Sequence, residues 1–163
     1  MSQPPPNPAS DLPNRKHLRR LPVAFMAPPI YLVTVCVLER RKVLAEQQMA
    51  EMVISLLKET SERHGWLVGR YVVMPDHVHL FCSPVTGLSS LGTFVGGFKE
   101  SSTRAAWTLG WEGRLWQHEF HDHLLRSAES YGQKWHYVLL NPVRRGLCSQ
   151  PEEWPYQGQI EAF

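Results

Sequence analysis

From residue 29 onward the hydrophobic positions fall into alternating strand and helix periods. Residues 30–38, IYLVTVCVL, are rich in β-branched side chains and apolar on both faces, which predicts a central strand covered on both sides. Over residues 45–65, Met49, Met52, Val53, Leu56 and Leu57 recur at helical spacing, and Gly65 stands where a left-handed residue ends a helix. WLVGRYVVM (66–74) and HVHLFCS (77–83) read as two strands joined at Pro75-Asp76, where the proline pushes Met74 toward extended geometry and predicts a hairpin. Leu88, Leu91, Phe94, Val95 and Phe98 mark one face of a second helix, and Gly96-Gly97, costing about 1 kcal/mol per glycine, predicts a weak point or break inside it. A third helical pattern covers about 127–140 and stops before NPVRRGL, because Pro142 disfavours helical geometry at the residue preceding it. Strand, helix, strand, strand, helix opens a split βαβ unit. We therefore expect an α+β fold, a single-domain ferredoxin-like split βαβ sandwich whose antiparallel sheet carries packed helices.

Length and composition narrow the class. The chain has 163 residues, enough for one domain, with 43% hydrophobic and 20% charged residues, as in globular proteins. Residues 1–14 are dominated by proline, serine and asparagine and cannot bury enough apolar surface to offset ordering entropy. The expected organisation is a disordered, Pro-rich, basic tail over 1–28 and one domain over 29–163. Of the net charge of +2, the first twenty residues supply +3 through Arg15, Lys16, Arg19 and Arg20 against Asp11, which leaves −1 for the rest. The body is thus no general polyanion binder, and contacts to nucleic acid would come from local patches and the tail. No apolar run approaches a membrane span, the N-terminus carries no secretory signal, and three cysteines form neither a zinc pattern nor a disulfide framework. A cytoplasmic protein is expected.

Candidate chemistry begins with MPDHVHL. Side chains at i and i+2 of a strand share a face, so His77, His79 and Phe81 lie on one side and Val78, Leu80 and Cys82 on the other. Two convergent imidazoles are either packed core histidines or ligands of a metal ion. Along the third helix, Tyr131, Trp135, Val138 and Leu139 form an apolar stripe, and Gln133, Tyr137 and Asn141 fall opposite it at i, i+4 and i+8. By itself that is a polar surface with one aromatic, or part of a site. Together the two segments fit a divalent ion held by two imidazoles and an amide oxygen beside a tyrosine hydroxyl that can attack phosphorus.

These residues carry a resemblance. YVVMPDHVHLF resembles the histidine-hydrophobe-histidine strand of the HUH endonuclease superfamily, and HYVLLNPVRRGL resembles the tyrosine segment of its REP-associated tyrosine transposases. LWQHEFHDHLLR and FKESSTR resemble further segments of that family, so the likeness runs from about Pro29 to Pro155. It implies that His77 and His79 are metal ligands, that Tyr137 is the nucleophile forming a 5′-phosphotyrosine, and that the ion is Mg²⁺ or Mn²⁺, with no small-molecule cofactor. Asn141 matches the family's Tyr-x-x-x-Asn; related insertion-sequence enzymes have glutamine at this offset, and Gln133 is the alternative third ligand. The implied substrate is single-stranded or hairpin DNA of the repetitive extragenic palindrome type. A monomer is the implied state, and a dimer, as in insertion-sequence relatives, the alternative. Two rival functions are a non-catalytic DNA-binding regulator on the same fold and a metal-dependent phosphodiesterase that activates water.

Several further residues are weighed individually. Lys99, Arg104, Arg126, Arg144 and Arg145, with Arg15, Lys16, Arg19 and Arg20 in the tail, are candidate DNA contacts, against solvated charge for any single one. His118, His121 and His123 cluster with Glu119 and Asp122, yet no single spacing brings all of them to one face. Trp107, Trp111 and Trp116 offer stacking surfaces for unpaired bases or ordinary packing. Asp76 either orients His77 or serves the turn.

Overall fold

The structure, a computed structural model, describes residues 28–85 and 89–163. The expected tail, with Arg15, Lys16, Arg19 and Arg20, therefore falls outside the described residues except for Pro28, and so does Leu88. Five strands and four α-helices follow in the order β1 (Ile30–Cys36), α1 (Gln47–His64), β2 (Trp66–Met74), β3 (His77–Pro84), α2 (Leu91–Thr108), β4 (His121–Leu125), α3 (Ala128–Leu139), α4 (Asn141–Arg144) and β5 (Gln157–Gln159). The sheet order is β4-β1-β3-β2-β5 with every neighbouring pair antiparallel. Its first four strands have the ferredoxin-like arrangement expected from the sequence, and β5 extends it at the free edge of β2. No helix among the described residues is long and apolar enough to cross a membrane.

The alternation of side chains along β3 divides the core in two. Val78, Leu80 and Cys82 join Val33 and Val35 of β1 beneath α1 and α2, whose Val53, Leu57, Phe94 and Phe98 are all buried. Phe81, Val72, Met74 and Leu125 face the other way and are covered by Tyr131, Trp135 and Val138 of α3. The Phe81 ring lies 4.7 Å from Tyr131 and 6.0 Å from Trp135, between centroids. Because Phe81 is fully buried and anchors α3, Phe81→Ala should destabilise the protein by about 3–5 kcal/mol in a urea denaturation experiment.

Three expectations need correction. The first strand ends at Cys36 because the chain then leaves the β3 ladder: Val37 N–H donates to Asp76 O at 2.9 Å and Leu38 N–H to Leu115 O at 2.9 Å. The second helix is unbroken at Gly96-Gly97. A Cβ at Gly97 would lie 2.4 Å from Nε2 of His64, so this glycine lets the end of α1 approach α2, and packing outweighs the propensity cost. Residues 121–125, given no strand, form β4, which is exposed except at Leu125 and is extended by pairing with β1 rather than by its own pattern. The third helix, by contrast, ends before Asn141 as its pattern predicts. The ladder of α3 stops at Leu139, and Pro142 sits in the first turn of the short α4, where its missing N–H costs nothing.

Candidate functional site

Strand register decides where the histidines stand. His77 and His79 pair across β1 with Cys36 and Thr34, and across β2 with Met74 and Val72, on the α3 face of the sheet. His77 is 4% exposed and His79 partly buried. Their Nε2 atoms face each other at 3.1 Å, and each Nδ1 is held from behind, His77 by Asp76 Oδ1 at 2.6 Å and His79 by Thr34 Oγ1 at 2.8 Å. A carboxylate can only accept, so His77 carries its proton on Nδ1 and presents a lone pair at Nε2. Thr34 can donate or accept, which lets His79 present either a proton or a lone pair.

This arrangement passes a geometric test for a metal pair. Two ligands on adjacent corners of an octahedral ion with bonds of ~2.1 Å lie ~3.0 Å apart, close to the observed 3.1 Å. Both imidazoles also have the outer partners that orient metal-binding histidines. Burial pushes the His77 pKa below its ordinary value despite the opposing pull of Asp76. His79 falls to about 3 through burial, then through the charges of His77, Arg40, Arg144 and Arg145. Both rings are therefore neutral at pH 7, as ligands must be. Since His79 binds its proton far less readily folded than unfolded (~6.5), its contribution to stability is complete above about pH 6.5 and is lost as pH falls toward about 3. Thermal melts in chelator-containing buffer should thus show a fall over that window that is reduced in His79→Gln.

Asp76 is itself clamped. Its Oδ2 lies 3.1 Å from Nε of Arg40, whose Nη1 also reaches Cys36 Sγ at 2.8 Å. Burial alone would raise the carboxyl pKa, but the hydrogen bond and charge of His77 and the charges of Arg40 and Arg145 hold it below the ordinary range. Arg40 reaches this position from a sharp kink in which Glu39 and Arg40 both have positive φ, 57° and 55°. Consecutive left-handed non-glycine residues cost roughly 1–3 kcal/mol each, which marks a conformation imposed by its surroundings. Neither Thr34 nor Arg40 was singled out by sequence. Their signal is cross-strand register and a kink, which residue spacing does not carry.

The helix α3 brings the tyrosine to the same end of the sheet. Arg126 follows β4 beside Ile30, about 20 Å along the strand from Cys36 and His77. From there α3 runs back over the sheet for 12 residues, about 18 Å, with Tyr131 on Phe81 and Val138 in the cluster of Val72 and Met74. Tyr137, adjacent to Val138, is 58% exposed. The Arg144 guanidinium lies 3.9 Å from the centre of its ring and donates 2.6 Å bonds to Tyr137 O and Asn141 Oδ1. The charge of Arg144 also reaches His79, so tyrosine and histidine pair share one basic neighbourhood.

The remaining candidates separate. Arg144 and Arg145 act on the histidine pair, Arg126 stands at the opposite end, and Lys99 and Arg104 lie on α2, across the sheet. Asn141 Oδ1 is occupied by Arg144, and Gln133 stands on the exposed side of α3 one turn before Tyr137. His121 and His123 share the histidine face, His121 in one cross-strand row with Thr34 and His79, while His118 precedes the strand. Among the described residues no three His, Cys, Asp or Glu side chains are grouped to hold an ion. Trp116 is buried with its Nε1 on Ser102 Oγ at 2.8 Å, and Trp111 packs under Arg41 at 4.2 Å, leaving Trp107, at 53% exposure, as the available stacking face.

Comparison with known proteins adds to this geometry. A family model described as transposase IS200 like matches residues 29–127, a span that includes both histidines and stops before Tyr137. The chain is 25% identical over 126 residues to the REP-associated tyrosine transposase of Escherichia coli (strain K12), covering 77% of this chain and 73% of that protein. Its fold is similar to a solved structure of a REP-associated tyrosine transposase bound to a REP hairpin, with a TM-score of 0.69 and 22% identity over 87% of this chain and 81% of that one.

Proposed function

Given that this chain belongs to the IS200-like transposase family, we propose that it cleaves and rejoins single-stranded DNA at REP-type hairpins through a 5′-phosphotyrosine on Tyr137. The observation that carries this reading is the convergence of His77 and His79 Nε2, each fixed from behind, at the end of the sheet to which α3 delivers an exposed tyrosine. The similarity to a transposase solved with a REP hairpin supports hairpin DNA as the substrate.

In this mechanism Tyr137 Oη attacks phosphorus as its proton leaves. A P–Oη bond forms, the P–O3′ bond breaks, and the departing oxygen takes up a proton as a free 3′-hydroxyl. Phenolate is a better leaving group than alkoxide, so a DNA 3′-hydroxyl reverses the step and joins strands without an outside energy source. His77 and His79 would hold Mg²⁺ or Mn²⁺, with Asn141 or Gln133 as the amide ligand. Such an ion, when bound, supplies charge stabilisation to the phosphate. Arg144 and Arg145 add positive charge beside the same phosphate, and Arg144 fixes the Tyr137 ring by stacking. Arg144 donates to Asn141 Oδ1, and the second lone pair of that oxygen is the one an ion would use.

The test is incubation of the protein with Mg²⁺ or Mn²⁺ and labelled single-stranded hairpin oligonucleotides, resolved on a denaturing protein gel. A covalent protein–DNA band that needs the metal is expected. Cleavage without a band would assign the protein to water-activating phosphodiesterases, and binding without cleavage would make it a regulator.

A further inference from the structure

On the opposite side of the sheet from the histidines, α2 and residues 114–118 enclose a cavity of about 400 Å³. Trp107 lines it, with Arg104, Arg114 and Gln117. The Trp107 indole is half exposed yet fixed, its Nε1 donating to Gly113 O at 2.8 Å across a loop in which Gly110 and Gly113 take positive φ. A rigid aromatic face held open to solvent exposes apolar area that ordinary packing would cover. Arg114 is exposed and has no hydrogen-bond partner among the described residues. Among the described residues Arg104 is engaged only by Glu100 one turn away, a surface pair worth about 0.5 kcal/mol that a phosphate would readily displace. Lys99 has a different task. Its Nζ donates to the carbonyl of His118 at 2.7 Å and, more distantly, to that of Glu119, and so builds the wall of the cavity.

Two cations flanking a fixed indole match the chemistry of one unpaired nucleotide, with phosphate on the arginines and base on the ring. One lining residue of the cavity stands beside the strand next to the histidines. Gln117 N–H donates to Cys36 O, and Cys36 is paired with His77, so Gln117 lies two strand spacings, about 10 Å, from the metal-binding end.

We propose that this cavity is a subsite for one unpaired nucleotide of the substrate strand, the base stacked on Trp107 and the phosphate held by Arg114 and Arg104. It rests on the single-stranded DNA substrate proposed above and adds a position, on the opposite face of the sheet from the histidines, at which the protein senses the presence of a base.

The experiment measures binding of hairpin oligonucleotides carrying one abasic site at each unpaired position next to the cleavage point, with wild type, Trp107→Ala, Trp107→Phe and Arg114→Glu. One abasic position should weaken wild-type binding roughly tenfold. Trp107→Ala should lose the same factor and become indifferent to that abasic position, while Trp107→Phe retains most of the affinity. Arg114→Glu, a fully surface change, should weaken binding in a salt-dependent manner, which keeps the test valid even if Trp107→Ala fails to fold. Wild-type affinity in both Trp107→Ala and Arg114→Glu, or losses from Trp107→Ala and the abasic site that simply add, would overturn the subsite while leaving the proposed function intact. A wild-type protein that does not bind these oligonucleotides would overturn both.

Discussion

Tyr137→Phe should eliminate the covalent protein–DNA band and lower strand cleavage on the order of 10³-fold or more, because it deletes the oxygen proposed to attack and nothing else. The ring is 58% exposed and its stack with Arg144 needs only the aromatic face, so folding and hairpin binding should be preserved. Denaturing gels and an equilibrium binding titration on the same preparation separate the two effects. If the variant cuts DNA at close to the wild-type rate, the tyrosine is a bystander and the histidine pair activates water. If the wild type itself forms no adduct, the proposed intermediate is absent whatever the variant does.

The second large effect is expected at Asp76. Asp76→Ala removes the acceptor that fixes the proton of His77 on Nδ1 and leaves the Arg40 guanidinium without its carboxylate. Outer partners of metal-binding histidines typically contribute 10- to 100-fold in affinity, so Mn²⁺ binding by titration calorimetry should weaken by about that factor. Asp76→Asn keeps the shape but can turn its amide N–H toward His77, and it should recover stability without recovering metal affinity. Metal affinity unchanged in both variants would return Asp76 to a turn residue and the His77–Asp76 bond to local packing. The left-handed kink at Glu39 and Arg40 fits the same logic, since it brings a cation to a carboxylate that is 7% exposed.

Much of the scaffold could be read from periodicity because burial demands it. A strand covered on both faces must be largely apolar, as β1 and β2 are apart from Thr34 and Arg70, and a helix covered on one face must repeat every three to four residues, as α1 does. The hairpin and the face shared by His77, His79 and Phe81 follow from strand geometry alone. The strands β4 and β5 were not legible, since neither has a strand's own pattern and both are extended by pairing to an existing edge. The continuous α2 was misjudged because the approach of His64 to Gly97 is a contact between helices distant in sequence. The third helix was legible to its end, because Pro142 stops it before Asn141 and stands in the first turn of a new short helix.

The sequence by itself determined the split βαβ order, the pairing of two imidazoles on one sheet face and the presence of a tyrosine on the polar side of a helix, each a consequence of local geometry. Only the tertiary structure decided what surrounds them. Thr34 meets His79 across 45 residues, Arg40 meets Asp76 across a kinked loop, and Arg144 joins Tyr137 to the neighbourhood of the histidines. It also divided the cations that sequence had grouped together, placing Arg144 and Arg145 by the site and Lys99 and Arg104 behind the sheet. The physical reason is that periodicity encodes which side of an element is buried, whereas register between strands and the path of a returning helix are set by packing between residues far apart in the chain.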